Sequence, residues 1–378
     1  MTLSLDVRTG DRPVFRLPKS AYLDDEWLEA ERASVLGRAW TIVASSADLP
    51  EPLDRMSVQV GVHPILVLRR PDGTLAAFHN VCRHRGMLLC DPANDEPSGS
   101  TVRCPYHGWE WSIDGDLVRV PQRRAQFPDI DPAELGLHPA SVGEWEGMVF
   151  VKTEPDADPL ETYLGALPES IGSYRPGQLV EVGRERIEIE ANWKLFVENH
   201  IDAYHLWYLH GQSLGAFDHA RFVHEQLGSV WMSYEPLRRS PSEVPGALPS
   251  VAPIIRHIDE RDRTGIGAHM VFPNLLMATT AEFFATYAIH PISPTRSWID
   301  LRVRAEADAD GPALLQAVRA FVDEDIVACE RLQACMRSSR FAVGPLALDH
   351  ERSIEQFHEQ LLQQLDRSTP QPTSVEVS

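Results

Sequence analysis

The 378-residue sequence predicts an α+β protein, in which a small all-β module precedes a larger domain with an antiparallel sheet packed by helices. Short β-type runs separated by turns fill residues 41–153. A second series of β-type runs occupies residues 268–304, and an apolar stripe at helical spacing predicts a long helix over residues 312–337. Strands and helices segregated along the chain in this way are typical of the α+β class.

The N-terminal elements follow from periodicity and turn residues. Residues 22–40 combine an acidic start with an apolar stripe at helical spacing, which predicts a helix that packs on the larger domain. Pro-Asp-Gly at residues 71–73 and Asp-Gly at residues 114–115 predict hairpin turns between short strands. A buried strand over residues 147–152 closes the all-β module.

The larger domain follows a Pro/Gly-rich linker over residues 154–178. Alternating apolar residues over 179–190 predict strands that lead into a helix beginning near Asn192. Residues 211–253 are rich in loop-forming residues and are expected to border a pocket. A last helix is predicted over residues 354–365.

Composition excludes several classes of protein. Hydrophobic residues make up 43% and charged residues 24% of the chain, which suits a soluble globular protein of about two domains. A net charge of −20 argues against binding to nucleic acid or to an anionic membrane, because both require basic patches. No apolar run is long enough to span a membrane, and the N-terminus has no apolar signal-peptide core. We therefore expect a cytoplasmic protein.

Two short loops of the all-β module carry a first cluster of metal-ligand residues. Cys82 and His84 lie in one loop, and Cys104 and His107 lie in a second loop, with nineteen residues between His84 and Cys104. Two thiolates and two imidazoles could hold zinc. However, each loop carries one residue of each type, and this mixed arrangement fits a [2Fe–2S] cluster with two Cys on one iron and two His on the other. Cys90 has no paired His and is expected to be structural.

A second cluster lies in the stretch from Asn192 to His210. His205 and His210 are separated by four residues, and Asp202 lies one helical turn before His205. Two imidazoles and one carboxylate form the facial triad of non-haem Fe(II) oxygenases. The alternative is a core helix with two satisfied histidines. Asp202 can accept the ring N–H of His205 and orient the ring, or it can be an ordinary solvated carboxylate.

The spacing of the two histidines is incompatible with one regular helix. Five positions at about 100° each leave the side chains of His205 and His210 about 140° apart. Both can face one metal only if the helix widens or ends between them. We predict this irregularity at residues 207–209, where Gly211 supports an end to the helix.

Together the motifs resemble the α subunits of Rieske non-haem iron oxygenases, the ring-hydroxylating oxygenase family. Cys82-Arg-His-Arg-Gly and Cys104-Pro-Tyr-His-Gly-Trp are similar to the two halves of the Rieske motif. Asn192-Trp-Lys, Glu198-Asn and Tyr204-His-x₄-His are similar to the catalytic motif. The resemblance extends from about residue 40 to the end of the chain. The gap of nineteen residues is longer than usual for the family, and residues 91–100 are expected to loop out.

The resemblance implies a domain organisation. Residues 1–40 form an N-terminal helix that packs on the catalytic domain, and residues 41–155 form the all-β Rieske [2Fe–2S] domain. Residues 156–367 form the catalytic mononuclear iron domain, in which helices pack on an antiparallel sheet. Residues 368–378 are a disordered tail.

The resemblance also implies roles for individual residues. Asp325 matches the position of the third iron ligand, with Glu324 as the alternative and Asp323 as a solvated residue. Asp202 and Asn199 are the candidate catalytic residues. Asp202 is expected to bridge to a Rieske histidine of a neighbouring subunit, so that a ring-shaped homotrimer completes the site. Asn199 and Phe196 are expected to line the pocket.

The implied function is that of a terminal oxygenase component, which hydroxylates an aromatic or other apolar small molecule with O₂. Its electrons come from NAD(P)H through a separate reductase, with or without a ferredoxin, because no Gly-rich dinucleotide fingerprint accompanies a βαβ unit here. The alternatives are N- or O-demethylation of an amine or ether, oxidative tailoring of a natural product, a Rieske electron-transfer protein and a zinc-stabilised binding protein. The candidate pocket aromatics are Phe196, Trp207, Phe217, Phe222, Trp231 and the residues from Phe283 to Tyr287.

Overall fold

The computed structural model describes residues 12–91, 99–155, 157–247 and 249–366. The chain divides into two compact units. The first unit is Leu36–Tyr163, and the second combines the residues up to Val35 with those from Leu164 onward. The expected domain boundaries at 40/41 and 155/156 stay predictions. Residues 1–11, the tail expected over 368–378 and most of the loop expected at 91–100 lie outside the described residues.

The N-terminal helix is shorter than its sequence pattern suggests. Helix α1 (Asp25–Glu31) continues into a π-helical turn over Arg32–Leu36 and does not reach residue 40. Its first turn carries Asp25 and Glu26, as expected from the favourable interaction of acidic groups with the positive end of the helix dipole.

The described residues of the first unit contain nine short strands and the short helix α2 (Arg123–Gln126), and a second short helix, α3 (Leu160–Leu164), lies at the boundary with the second unit. Six strands form an antiparallel sheet in the order β1-β9-β8-β4-β3-β2, and three form a separate sheet in the order β5-β6-β7. The elements are β1 (Thr41–Ser45), β2 (Arg55–Val60), β3 (His63–Arg69), β4 (Leu75–His79), β5 (Thr101–Arg103), β6 (Glu110–Ser112), β7 (Leu117–Arg119), α2 (Arg123–Gln126), β8 (Pro139–Trp145) and β9 (Met148–Lys152). Both predicted hairpin turns form, with Gly73 and Gly115 in the left-handed region.

The second unit is built on a seven-stranded antiparallel sheet in the order β10-β16-β15-β14-β13-β12-β11. From residue 160 onward, the elements are α3 (Leu160–Leu164), α4 (Leu167–Ile171), β10 (Val180–Ile189), α5 (Trp193–Ile201), β11 (Val223–Leu227), β12 (Val230–Pro236), α6 (Glu260–Arg263), β13 (Gly265–Val271), β14 (Leu275–Thr279), β15 (Phe284–Ser293), β16 (Arg296–Ala305), α7 (Gly311–Met336) and α8 (Arg352–Asp366).

The structure confirms the predicted α+β class and corrects two details. Residues 211–253 are not loops throughout, because β11 and β12 extend the sheet to its edge. β11 is half-buried at every position, so its sequence shows no apolar alternation that would reveal a strand. The linker over 154–178 contains the short helices α3 and α4.

Helix α5 is the central element of the second unit. It packs against α7, α8 and three strands of the sheet, and most of its side chains are buried. Asn192 caps its first turn by accepting the Lys194 backbone N–H at 3.0 Å. The Asn192 backbone N–H donates to the Gln333 side chain of α7 at 2.8 Å. The Asn-Trp-Lys motif therefore anchors the start of α5.

The other two residues of this motif meet a buried carboxylate on α1. Lys194 Nζ lies 2.7 Å from Glu31 Oε1, and both side chains are fully buried. Trp193 Nε1 donates to Glu31 Oε2 at 2.8 Å. A paired, hydrogen-bonded charge of this kind is tolerated in a core, whereas a single unpaired charge is strongly destabilising.

We predict that Lys194→Met lowers the free energy of unfolding by about 3–5 kcal/mol, because it leaves the Glu31 carboxylate buried without its cation. Urea unfolding followed by circular dichroism measures the change. The double variant with Glu31→Gln is expected to recover most of the loss. Arg296→Met, which removes a partly exposed partner of Glu188, is the control and should cost less than about 1 kcal/mol. A Lys194→Met loss no larger than this control would contradict the prediction.

Candidate metal centres

The two loops that carry the first cluster have the same backbone geometry. In each, the Cys N–H donates to the carbonyl five residues later, from Cys82 to Met87 and from Cys104 to Trp109. Gly86 and Gly108 donate back to the carbonyl of their own cysteine and adopt positive φ angles of 73° and 70°. Each turn requires a residue that tolerates the left-handed region, which explains the glycine in both motifs.

These loops bring all four predicted residues together. Cys82 and Cys104 are buried and their thiols hydrogen-bond to each other. The rings of His84 and His107 lie 4.7 Å apart between centroids. Burial raises the pKa of Cys82, as expected of a thiol in apolar surroundings. Cys90, which was expected to be structural, lies in the same apolar core.

A bound metal cluster fits this donor set. His84 Nδ1 is buried and has no hydrogen-bond partner among the described residues. The His84 ring is held by parallel stacking on Trp109, 4.9 Å away. Because buried polar atoms nearly always have a partner, an unpaired nitrogen beside two buried thiols indicates a position for a bound group. Two thiolates and two imidazoles match the ligands of a Rieske [2Fe–2S] cluster. His107 and Tyr106 are exposed, so one edge of this site reaches the surface of the unit.

The second cluster also assembles. One ligand atom each from His205, His210 and Asp325 lies within 4.8 Å of the others. His210 Nε2 is 2.8 Å and His205 Nε2 is 3.6 Å from Asp325 Oδ1. Two imidazoles and one carboxylate that converge from one side have the composition of a facial triad, which leaves other metal positions open. The ligand roles themselves stay predictions.

The second nitrogen of each imidazole faces a different carboxylate. His205 Nδ1 lies 3.2 Å from Asp202 Oδ2, and His210 Nδ1 lies 2.6 Å from Glu324 Oε2. Metal-binding histidines usually donate their other N–H to such a group, which fixes the tautomer and the ring orientation. Glu324 therefore lies behind His210, and Asp325 is the better candidate for the third ligand. Asp323 is exposed and pairs with Arg319, as expected of a solvated residue.

The acidic residues also affect the protonation of His210. Burial disfavours the charged imidazolium, but the hydrogen bonds and charges of Asp325 and Glu324 outweigh it and raise the pKa of His210. A metal ion must displace this proton before it can bind to the ring.

The chain breaks the helix at a different place from the one predicted. Helix α5 ends at Ile201, before both histidines, and not at residues 207–209. Asp202 has extended backbone angles and its side chain accepts the Tyr204 N–H at 2.5 Å. His205 begins a separate 3-10 turn. Asp202 and His205 thus meet through an Asx-type turn and not on one face of a helix, because an Asp side chain competes with the helix for backbone donors.

A small cavity of about 70 Å³, here named the inner cavity, adjoins the three triad residues. Asn199 and Phe196 line it, as the sequence predicts. Several of its other lining residues carry no signal in the sequence, because they come from separate elements that only the fold brings together. These are His200, Leu206, Leu214, Ile266, Gly267, Ala268, Ala278, Phe321 and Val322, and Tyr287 completes the lining.

A larger cavity of about 430 Å³, here named the outer cavity, borders Asn199, Asp202 and His205 from another direction. Its lining includes the carboxylates of Glu198 and Glu351 and, among the described residues, no lysine or arginine. Burial, together with the charge of Asp202, raises the pKa of Glu351. The other candidate aromatics divide between sites, since Phe217 and Phe283 line a further cavity and Trp207, Phe222 and Trp231 line none of these three.

Comparison with known proteins defines the class. Residues 39–136 match the Rieske [2Fe-2S] domain, and residues 176–367 match the catalytic domain of the ring hydroxylating alpha subunit. The chain belongs to this family of Rieske oxygenase α subunits. This confirms the resemblance and the fold class that the motifs indicate. Among the described helices, none combines the length and apolar character needed to cross a membrane.

Individual relatives act on different kinds of substrate. The chain is 33% identical over 210 residues to the chlorobenzene dioxygenase subunit alpha of Cupriavidus sp. strain PS12, matching 54% of this chain and 45% of that protein. It is 27% identical over 354 residues to the chloroplastic choline monooxygenase of Spinacia oleracea, matching 90% of this chain and 76% of that protein. The structure of the quaternary ammonium Rieske monooxygenase CntA with L-carnitine covers 93% of this chain and 96% of its own, with a TM-score of 0.76 and 21% identity, which shows a shared fold.

We predict that Asp325→Ala reduces the iron content from about three atoms to about two per chain, because the triad loses its carboxylate and the cluster is untouched. Iron analysis and EPR of the reduced cluster measure the two centres separately. Glu324→Gln should bind the mononuclear iron about 10–100-fold more weakly, since it loses only the charge behind His210. Asp323→Asn is the control. If Asp325→Ala kept three irons per chain and Glu324→Gln lost the mononuclear iron, then Glu324 would be the third ligand and Asp325 would not.

Proposed function

We propose that this chain is the terminal oxygenase component of a multicomponent Rieske system, which inserts oxygen from O₂ into an aromatic or other apolar small molecule. One observation supports it above all. His205 and His210 both direct Nε2 at Asp325, and their other nitrogens are held by Asp202 and Glu324. Such an arrangement suits a ferrous ion with open positions, beside an inner cavity for substrate.

The bound groups and the protein contribute different parts of the reaction. When present, the cluster supplies single electrons and the mononuclear iron supplies the activation of O₂. The residues of the chain orient the metal-binding imidazoles and exclude bulk water. Asp202 and Glu324 keep the imidazoles in one tautomer, with Nε2 free to bind metal. The apolar lining, including Phe196 and Phe321, keeps bulk water from the inner cavity.

We further propose that electrons from NAD(P)H reach the cluster through a separate reductase, directly or by way of a ferredoxin. The exposed edge at His107 and Tyr106 supports this, because a partner can approach the cluster ligands there.

A homotrimer is proposed on the family resemblance and on one surface feature. Asp202 borders the open outer cavity while it holds His205. Tyr204, Trp207 and Tyr208 follow it in the chain and are exposed by 59%, 45% and 94%. Exposed aromatic residues are typical of subunit interfaces. A neighbouring subunit's cluster histidine that docks here can hydrogen-bond to Asp202 and pass electrons toward His205.

A second candidate reaction is the oxidative demethylation of a quaternary amine. Phe196, Tyr287 and Phe321 place three aromatic rings around the inner cavity, and aromatic rings attract quaternary ammonium groups. The names of the choline and glycine betaine monooxygenases among the relatives agree with this alternative.

The function is tested with purified holoenzyme, NADH, a surrogate reductase and a panel of aromatic hydrocarbons and quaternary amines. We expect product formation coupled to O₂ uptake with at least one compound. His205→Ala should keep a reducible cluster and lose all product formation, because it lacks a triad ligand. A reducible cluster with no O₂ uptake in the wild type, or full turnover in His205→Ala, would instead indicate an electron-transfer protein.

We predict that Asp202→Asn retains about three irons and a reducible cluster but loses about 10–100-fold in turnover, because His205 loses its charged partner. Glu351→Gln is the matched control, since it removes a second carboxylate of the outer cavity, one whose charge acts on His205 without holding the imidazole ring. Iron content, reduction of the cluster and steady-state turnover are measured for both variants. Equal turnover in Asp202→Asn and wild type would refute the role of Asp202.

A further inference from the structure

Tyr287 carries a hydroxyl group that the fold leaves without a partner. The residue lies in the middle of the sheet, on β15, where it pairs with Leu276 on one side and Leu301 on the other. Its side chain is 2% exposed, and its hydroxyl has no hydrogen-bond partner among the described residues. Native proteins rarely leave a buried hydroxyl unpaired, because its desolvation is not compensated.

Tyr287 belongs to the candidate reaction site. Tyr287 lines the inner cavity together with His205, His210 and Asp325. Burial raises the pKa of Tyr287, and the Asp325 carboxylate raises it further, so the hydroxyl lies within electrostatic reach of the triad. The His200 ring, also in the lining, is 5.9 Å from the Tyr287 ring.

Most other polar groups of the inner cavity are already engaged. His205, His210 and Asp325 face one another, and His200 Nε2 lies 3.1 Å from the His269 carbonyl oxygen. In the part of the chain that the structure describes, no lysine or arginine lines this cavity. Apart from Asn199, which also borders the outer cavity, the remaining lining is apolar or aromatic. An anionic substrate group would therefore find no cationic side chain here.

We propose that Tyr287 is the substrate-orienting residue, whose hydroxyl donates a hydrogen bond to a neutral carbonyl, ether or alcohol oxygen on an otherwise apolar substrate. The inference rests on the proposed function and narrows its substrate class. When the Tyr287 hydroxyl donates to the substrate oxygen, the substrate carbon next to that oxygen is held at the triad. The same donor disfavours hydrocarbons of equal shape, because binding them leaves the hydroxyl unpaired.

The size of the inner cavity indicates how such a substrate lies. At about 70 Å³ it is about half the volume of an engineered cavity that holds benzene. A further cavity of about 70 Å³ includes Ser213 and Gly265, the residues just before Leu214 and Ile266 of the inner cavity. Both cavities also use successive turns of α7. A substrate larger than the inner cavity has to extend toward this neighbouring cavity, with its oxygen at the inner end.

The quaternary ammonium alternative uses the same residue differently. A trimethylammonium group would contact the face of the Tyr287 ring, and this cation–π attraction persists when the ring is that of phenylalanine. A hydrogen bond to the hydroxyl is lost in that substitution. Tyr287→Phe therefore separates the two modes of recognition.

The test compares wild-type and Tyr287→Phe holoenzyme with the matched probes 1-indanone and indane, and with choline, by anaerobic titration calorimetry. We expect the Kd of 1-indanone to rise about tenfold in the variant, the value of one neutral hydrogen bond. The Kd of indane should change less than about twofold. Product-coupled O₂ uptake should follow the same pattern, with the loss confined to 1-indanone.

Thermal unfolding of the ligand-free variant provides a second readout. Because the hydroxyl has no partner, Tyr287→Phe should unfold at the wild-type temperature or above it. Tyr174→Phe is the control, a buried tyrosine that lies outside both cavities and hydrogen-bonds to Thr279. It should lower the unfolding temperature and leave the Kd of 1-indanone unchanged.

Several results would overturn the inference. One is an equal change in the Kd of 1-indanone and of indane in Tyr287→Phe, and another is an unfolding temperature of this variant below that of the wild type. The inference also fails if the wild type does not bind 1-indanone, or if it binds choline more tightly than 1-indanone with a Kd that the substitution does not change. If the wild type still turns over other compounds, only the role of Tyr287 fails. If the wild type holds no mononuclear iron and consumes no O₂ with any compound, the proposed function fails as well.

Discussion

The candidate iron site depends on the fixed position of α5 against α7, because these two helices and the turn after α5 carry all three candidate ligands. The helices are joined near both ends of α5. At its start, Gln333 of α7 accepts the Asn192 N–H, and after its end His210 contacts both Asp325 and Glu324 of α7. A helix held at both ends presents its side chains within the narrow tolerance that a metal site needs. The buried Glu31–Lys194 pair fixes the same helix from a third direction.

The two candidate metal centres position their ligand side chains in different ways. The first unit repeats one tight turn, and the glycine of each turn allows the cysteine and histidine of its loop to point at a shared centre. The second unit gathers residues more than a hundred positions apart on separate elements. A local turn is encoded by a few neighbouring residues, whereas a site of the second kind depends on how the whole unit packs.

Unpaired buried groups occur at both centres. His84 Nδ1 and the Tyr287 hydroxyl are polar atoms without partners among the described residues, and each lies beside residues expected to bind a ligand. Folding alone does not favour such atoms, since each one costs stability. Their position at the two sites is what is expected when a fold reserves donors and acceptors for groups that bind after folding.

The sequence by itself determined the class of the protein, the four cluster residues and the histidine pair. These depend on residue type and local spacing, which can be read directly from the sequence. Periodicity likewise located α7 to within one residue at each end. Strand β11 was missed because an edge strand with half-buried positions shows no apolar alternation.

The tertiary structure alone decided what each neighbouring residue does. Glu324 and Asp325 are adjacent acidic residues, but one helical step turns their side chains about 100° apart, so that only packing distinguishes them. The early end of α5 depends on the Asp202 side chain competing for a backbone donor. The inner cavity and the unpaired Tyr287 hydroxyl arise where α5, α7 and the sheet meet, and such a meeting point is a property of packing, which no local pattern carries.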